Sequence, residues 1–501
     1  MRIKSRLLKP FARHIARGID RWSADAAGAQ QQVFKQLIQQ GRNTAFGREH
    51  GFRQINSYEA FRQQVPLRDY EGLRPWIERI KQGEHHVLWP GLPRYFAKTS
   101  GTTSGVKYIP LTRESMPNHF ATARNALFNY YARTGKGDFI DGKVIFLSGS
   151  PELGKVGPIP TGRLSGIVNH EVPAWLRTNQ LPSYRTNCIE AWEEKLDAIV
   201  SETLGQDMRL ISGIPPWVQM YYERLLERSG KRHIKDLFPN FSVFVYGGVN
   251  FEPYRAGLEA LVGRRIDSVE TYPASEGFIA FQDSQSEPGL LLNAFSGIFF
   301  EFVPAEEAFK PTPTRLSLSE VETGVNYALI INNNAGLWGY EIGDTVQFVS
   351  KKPYRLVVSG RVKHFISAFG EHVISKEVEE AMLAATQAME ARIVEFTVAP
   401  QVNPQEGGLP CHEWLVEFEQ LPADLARFAA LLNEQMVAQN IYYKDLIAGN
   451  ILQPLKITVL PRDSFRNYMR SLGKLGGQNK VPRLSNDRAI ADAICGEYPG
   501  K

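Results

Sequence analysis

Thr99-Ser100-Gly101-Thr102-Thr103-Ser104-Gly105-Val106-Lys107 is the stretch on which the reading of this chain turns. It is entered from a strand-like run, Arg94 to Ala97. Its small residues let the backbone curl so that amide N–H groups and hydroxyls converge on phosphate oxygens, with Lys107 at the rim to meet their charge. A Walker A loop has four residues between its glycines and a Ser or Thr directly after its lysine. Here Gly101 and Gly105 enclose three, and Tyr108 follows Lys107, so kinase and GTPase readings lose support. Alone, the run also suits a solvated Ser/Thr/Gly turn, and the rest of the chain has to decide.

Outward from it, short β-branched or aromatic runs recur at Lys143 to Ser148, Phe241 to Tyr246, Ile266 to Thr271, Phe278 to Gln282, Gly297 to Val303 and Val325 to Asn332. Helical patterns at Arg113 to Tyr131, Cys188 to Leu204 and Pro216 to Arg228 separate some of them, which is an α/β arrangement. Upstream, Gln30 to Gln40 reads as a polar helix, and Tyr58 to Lys81 as helical pieces broken at Pro66 and Pro75. A second unit begins near Gly360-Arg361 with a strand from Val362 to Ala368, then a helix from Ser375 to about Thr386. Strands at Ala391 to Ala399 and His412 to Glu419, a helix from Ala423 to Asn440 and a strand at Leu455 to Leu460 complete it. The expectation is a large N-terminal domain of mixed sheets and helices, residues 1–358, and a small α+β domain, residues 359–501.

Four further runs carry possible chemistry. Tyr272-Pro273-Ala274-Ser275-Glu276 leaves a predicted strand at the carboxyl edge of a sheet, where open α/β folds take ligands. Tyr272 offers a ring to stack on a base, Ser275 a donor to phosphate, and Glu276 a hard oxygen ligand for Mg²⁺. In Tyr340-Glu341-Ile342-Gly343-Asp344, an Asp after a glycine turn suits a ribose diol. Arg361 suits a phosphate, and Gly473 to Arg483 is glycine-rich and basic, with Lys474 and Lys480. Each has a plain alternative: a capping Glu, a turn-forming Gly-Asp, a linker arginine, an inert tail.

With 501 residues, 43% apolar and 22% charged, the chain is an ordinary globular one with too much material for a single core. No apolar run is long enough for a transmembrane segment and none near the start resembles a secretory signal. With three scattered cysteines, the expected location is cytoplasmic. The formal charge of +5 does not indicate a nucleic-acid partner. Arg2, Lys4, Arg6, Lys9, Arg13, Arg17 and Arg21 against Asp20 already give +6, so the rest of the chain sums to −1. The basic arm reads first as a solvated helix face, with contact to a membrane surface or a targeting role left open. There is no HExxH, no GxSxG and no GxGxxG after the first strand, and the histidines lack metal-ligand spacing.

Taken in order, the Ser/Thr/Gly run, Tyr-x-x-Ser-Glu, Tyr-x-x-Gly-Asp, Gly-Arg and the terminal lysine resemble the motifs of acyl-adenylate-forming enzymes. Gly297-Ile298-Phe299-Phe300-Glu301-Phe302-Val303-Pro304, Asn334 to Asp344 and Gln478 to Arg483 are more narrowly similar to the acyl-acid amido synthetases of the Gretchen Hagen three family, known from plant auxin and jasmonate conjugation. The similarity runs from about Tyr95 to Arg483. It implies a large adenylating domain with a small mobile C-terminal domain, the use of ATP and Mg²⁺, and the joining of a small carboxylic acid to an amine, an amino acid by family analogy. It implies phosphate contacts from Ser100, Gly101, Thr102, Thr103, Ser104 and Lys107, nucleotide contacts from Tyr272, Ser275, Asp344 and Arg361, Mg²⁺ on Glu276, and Lys480 as the adenylation lysine, with Lys474 the competitor.

The chain departs from the family pattern at Glu341, where Arg is usual, and at Pro273 and Ala274, so no plant substrate carries over. Acid specificity is expected on the helix after the phosphate run, where Met116, Phe120, Ala123, Leu127 and Tyr130 recur at helical spacing beside Arg124, although such a stripe also suits plain core. An acid–thiol (CoA) ligase and a non-catalytic nucleotide-binding protein of the same fold remain alternatives, and the sequence is silent on oligomeric state.

Overall fold

The computed structural model describes residues 3–102, 105–171, 178–247, 251–308, 310–362, 365–366, 368–371, 373–404, 408–472, 481 and 483–496. By internal contacts the chain divides into two units, one mainly the chain up to Val362 and the other mainly the chain beyond it.

Helices α1 (Ile3–Ala24) and α2 (Ala26–Gly41) open the first unit. α1 turns Ala12, Ile15, Ala16 and Ile19, one stripe at helical spacing, inward and packs on the helix Met116–Thr134. α2 is capped by Asp25, which accepts the Gly28 N–H, and buries Ala29, Val33, Phe34, Leu37 and Ile38. Gln30 lies on that inner face. Its amide donates to the carbonyls of Ala294 and Ile298 at 2.7 and 2.8 Å, and its oxygen accepts the Phe300 N–H at 2.8 Å. The polar helix of the sequence reading is therefore pegged to the sheet by one of its own glutamines.

The expected break at Pro75 does not occur. Tyr70–Lys81 is one helix, capped by Asp69 and anchored by buried Leu73, Trp76, Ile77 and Ile80. That apolar face outweighs the single backbone bond the proline forfeits.

The strands of this unit are β1 (Tyr95–Thr102), β2 (Gly105–Leu111), β3 (Lys143–Phe146), β4 (Gly154–Val156), β5 (Ile159–Gly162), β6 (Gln180–Leu181), β7 (Met208–Ser212) and β8 (Val243–Gly247). They continue as β9 (Asp267–Ala274), β10 (Gly277–Phe281), β11 (Leu290–Leu292), β12 (Ile298–Pro304), β13 (Asn326–Asn333), β14 (Tyr340–Lys351) and β15 (Tyr354–Arg361). Four of them form a small sheet in the order β2-β1-β5-β4, and eleven form the main sheet, β12-β13-β14-β15-β11-β10-β9-β8-β7-β3-β6. From β6 to β9 neighbours are parallel, and from β9 to β12 they are antiparallel. The change of sense falls at the β9–β10 hairpin. The parallel half is fed by helices and reads as β-branched runs, whereas in the antiparallel half the chain crosses from β11 to the edge strand β12 and returns through β13 and β14 to pair β15 with β11.

In the second unit, β16 (Phe365–Ile366) pairs with β17 (Val373–Ile374), and β18 (Arg392–Gln401), β19 (Cys411–Gln420) and β20 (Lys456–Leu460) form a sheet flanked by the helices Ser375–Ala388 and Leu425–Gln439. The α+β reading agrees with this, with one correction. Of the span Val362 to Ala368, the described residues form a strand at Phe365–Ile366, β16. The long strand ends earlier, at Arg361, and belongs to the main sheet. Val362 donates its N–H to Gly343 O at 2.9 Å and is buried with Val303, Ala328 and Ile330.

Candidate active site

The described part of the phosphate run lies on the paired strands β1 and β2. Thr99 is opposite Lys107 and Thr102 opposite Gly105, with an irregularity between Thr99 and Thr102 that takes up Ser100 and Gly101. Thr103 and Ser104 lie outside the described residues, and Ser100, Gly101, Thr102 and Arg361 are placed here by backbone alone. Lys107 holds its ammonium 5.9 Å from the centre of the Tyr70 ring, and the Tyr108 N–H donates to Tyr70 Oη at 2.9 Å. Burial pushes the Tyr70 phenol up to about 12.

Ser275 and Glu276 are the two residues of the β9–β10 turn, with Ala274 opposite Gly277. The turn is fixed from both sides: Asn333 Nδ2 donates to the Glu276 carbonyl at 2.7 Å, and Tyr340 Oη donates to Glu276 Oε1 at 3.3 Å. Burial first, and the Glu276 charge second, hold the Tyr340 phenol well above its ordinary value, so it stays a donor.

Tyr340 is delivered by a loop, Ala335 to Gly339, that three consecutive asparagines build. Asn333 Oδ1 accepts the N–H groups of Ala335 and Leu337, both at 3.0 Å. Asn332 Oδ1 accepts that of Gly339 at 2.6 Å, and Asn334 Nδ2 reaches the Glu114 carbonyl at 2.8 Å. Gly336 has φ +90° and a Cβ there would lie 2.6 Å from Leu88 Cβ, so only glycine serves. Trp338 is fully buried and donates Nε1–H to Leu88 O at 3.0 Å. Behind the loop, Asn332 Nδ2 donates at 2.7 Å to Glu301, which is also paired with Arg315 and takes the Tyr58 hydroxyl at 2.9 Å.

Asp344 lies within β14, not after a free turn, and Gly343, at φ +88°, marks the local irregularity. Across the ladder it is opposite Arg361. Its Oδ2 accepts the Tyr272 hydroxyl at 2.5 Å. The Tyr272 ring is 8% exposed and packed in the main core. Tyr272, Glu276, Tyr340 and Asp344, from two separated runs of sequence, thus meet in two hydrogen-bonded pairs at one end of the sheet.

The helix Met116–Thr134 has Met116 and Tyr130 of the expected stripe buried and Phe120 and Leu127 partly buried. Its buried side holds Asn118, His119, Thr122, Ala126 and Asn129, while Ala123 and Arg124 are exposed. Arg124 bonds Asn125 Oδ1 and lies over the Phe11 ring of α1 at 5.7 Å, and Leu127 packs in the cluster that α1 helps to form. Phe120 packs against the main core. The polar residues face inward because they bond β-sheet backbone: Asn118 Oδ1 accepts the Phe278 N–H at 2.6 Å, and Asn129 Nδ2 donates to Asp283 O at 3.0 Å. His119 is buried with no partner at Nδ1, and burial pulls its imidazole down to about 4. Sequence reasoning missed Asn118, His119, Asn332 and Asn333. The run of three asparagines at a strand end was the one available signal.

In the second unit the tail beyond the glycine-rich segment is anchored, not inert. Val398 N–H donates to Arg483 O, Ser485 N–H to Val398 O, both at 2.9 Å, and the Arg483 side chain pairs with Glu379 and Glu395. Lys474 and Lys480 lie outside the described residues. Among the described residues no group of three or more His, Cys, Asp or Glu could hold a metal, and no helix is long and apolar enough to cross a membrane.

A large unit on a mixed sheet followed by a small α+β unit is a fold shared with solved structures of an acyl acid amido synthetase and an acyl-CoA ligase. The sequence matches the GH3 family N-terminal domain over residues 16–162, its central domain over 291–361 and its C-terminal domain over 376–489. The chain belongs to the GH3 family. Among its relatives is the jasmonoyl–L-amino acid synthetase JAR4 of Nicotiana attenuata, 22% identical over 92% of this chain and 91% of its own length. Another is the indole-3-acetic acid-amido synthetase GH3.3 of Arabidopsis thaliana, 22% identical over 95% and 92%. Among solved structures, the GH3.15 acyl acid amido synthetase in complex with 2,4-DB shares the fold with a TM-score of 0.61 at 16% identity, covering 97% of this chain and 96% of that one. A 2-hydroxyisobutyryl-CoA ligase shares it with a TM-score of 0.58 at 15% identity, covering 95% and 92%.

Proposed function

We propose that this chain is an ATP-dependent acyl-acid amido synthetase that activates a small carboxylic acid as its adenylate and passes the acyl group to an amine, an amino acid as in the relatives' names. The observation that carries the reading is the meeting of Glu276 with Tyr340 and of Asp344 with Tyr272 at one sheet end. In the first step a carboxylate oxygen attacks the α-phosphorus of ATP and the bond to pyrophosphate breaks. In the second the amine nitrogen attacks the acyl carbon, the acyl–phosphate bond breaks, AMP leaves and the amine loses a proton. Neither step needs a covalent enzyme intermediate, so the chain's work is positioning and charge stabilisation.

In this reading Asp344, oriented by Tyr272, takes the ribose diol. The hairpin around Ser100 to Ser104, with Lys107 and Arg361, holds phosphate oxygens, Ser275 adds a donor beside them, and Phe120 lies toward the acid. Glu276 suits Mg²⁺: it is one carboxylate held at a turn by a phenol donor, and Mg²⁺ bound to a nucleotide needs only one or two protein carboxylates. When bound, the ion would neutralise charge on the leaving pyrophosphate. Lys480 serves adenylation from the small domain, the second unit, which moves between the steps about a hinge where β15 ends, at Gly360-Arg361. A location in the cytoplasm goes with this substrate set.

The test is ATP–pyrophosphate exchange against aromatic, indolic and aliphatic acids, with mass spectrometry of the product formed with mixed amino acids or with CoA. Exchange with one acid and an amide product is expected. A thioester alone would make the chain an acid–thiol ligase, and nucleotide binding without exchange would remove the enzymatic reading.

A further inference from the structure

α1 carries a second surface. Its inner stripe is spent on the body, and it is fixed there: Ser5 N–H donates to Asp141 at 3.1 Å, and Tyr131 Oη donates to the Ser5 carbonyl at 2.8 Å. At 3.6 residues per turn, Arg6, Leu7, Pro10, Arg13, His14, Arg17 and Arg21 fall on the opposite side, and all are exposed. The single acid of the helix, Asp20, is paired with Arg133 and so subtracts little from the field. Leu7 is 73% exposed among these cations. Phe11, 40% exposed at the edge of the face, lies beneath the guanidinium of Arg124, which is also exposed. Lys4, Arg6, Lys9, Arg13, Arg17 and Arg21 against Asp20 give this helix +5, which equals the formal excess of the whole chain.

We infer that the outward face of α1 is a docking surface for an anionic phospholipid membrane. Charge alone would equally suit a nucleic acid. Two apolar side chains set among guanidinium groups on a rigid helix suit an interface in which phosphates meet the arginines while Leu7 and Phe11 enter the acyl boundary. The rest of the chain, near neutral in formal charge, adds no net attraction for a nucleic acid. The contact would hold the protein at a bilayer surface without a spanning segment. An acid that partitions into lipid would then be met where it is concentrated.

The test is co-sedimentation of the full chain with vesicles of phosphatidylcholine containing phosphatidylglycerol, and with phosphatidylcholine alone. Pelleting is expected only with the anionic vesicles and should be released by raised salt. Combined Arg13→Glu, Arg17→Glu and Arg21→Glu should lower partitioning at least about tenfold, on the scale of roughly fivefold per basic residue at an anionic surface. Leu7→Gln should lower it several-fold at constant salt, and both variants should keep the parent's thermal midpoint and its solution activity. Equal pelleting with neutral vesicles, parent-like pelleting of both variants, or tighter binding to a DNA duplex that Leu7→Gln leaves unchanged would overturn the inference.

Discussion

The hydroxyl of Tyr272 and the carboxylate of Asp344 are 2.5 Å apart, and that bond ties the carboxyl end of β9 to the first half of β14. It gives a buried carboxylate a fixed direction before any ligand arrives. Tyr272→Phe removes the hydroxyl and leaves the ring's packing in place. Because a ribose contact persists from ground state to transition state, the loss should raise the ATP KM, by the equivalent of about 1–3 kcal/mol, with little change in kcat. Steady-state exchange kinetics read this directly. A fall in kcat at constant KM would place Asp344 in another role.

Glu276 is the residue whose removal should cost most. Glu276→Ala is expected to reduce pyrophosphate exchange at least about a hundredfold while leaving the thermal midpoint unchanged. Tyr340→Phe, which keeps the carboxylate and loses only its 3.3 Å donor, should cost far less and should shift the Mg²⁺ dependence of the rate. Ordinary exchange by Glu276→Ala would remove the metal assignment.

His119 makes a pH prediction whose sign is set by burial. Its imidazole is pulled from 6.5 down to about 4, so folding favours the neutral ring. The stability it contributes is complete above 6.5 and is lost as pH falls from there through about 4, because the unfolded chain takes up the proton first. Urea midpoints of the parent should therefore drop faster over that window than those of His119→Gln. Parallel curves would show that His119 does not titrate as a buried group.

What the sequence made legible, and what it did not, divides along a physical line. Strand runs such as Phe241 to Tyr246 and the helix from Ser375 were readable because periodicity and β-branching are local. Glu276 and Asp344 stood out because each is an acid at a turn-like, glycine-marked position. The inward polar residues were invisible. Asn118 and Asn129 look like solvent positions on a helix, and only the sheet backbone across from them, 160 and 154 residues away, makes them interior. The hydroxyl bond of Tyr272 was invisible for the same reason, since its partner Asp344 is 72 residues away. Pro75 misled because a turn residue was weighed without the buried face that carries the helix through it.

The Glu301–Arg315 pair links stability to the site. Both groups are buried, and Glu301 also receives Asn332, which shapes the loop leading to Tyr340. Arg315→Ala leaves that carboxylate short of its partner and should destabilise the protein by about 3–5 kcal/mol in urea unfolding. Glu301→Gln combined with Arg315→Met should recover part of the loss. A combined variant as unstable as Arg315→Ala would show that packing, not the stranded charge, sets the cost.

Lys480 gives the most discriminating outcome. The chain just beyond it is fixed, through Val481 in the core of the small unit and the bonds of Arg483 to β18. If it serves adenylation only, Lys480→Ala should depress formation of the acyl-adenylate by about 10²–10³-fold, the scale of one lost charge-stabilising donor, and leave amide formation from a supplied acyl-adenylate within a few-fold of the parent. Lys474→Ala should spare both steps. Pre-steady-state quench, with synthetic adenylate for the second half, separates the two. Equal losses in both halves for Lys480→Ala would mean that the residue holds the small unit together rather than serving one step, and a selective adenylation loss in Lys474→Ala would move the role six residues toward the glycine-rich run.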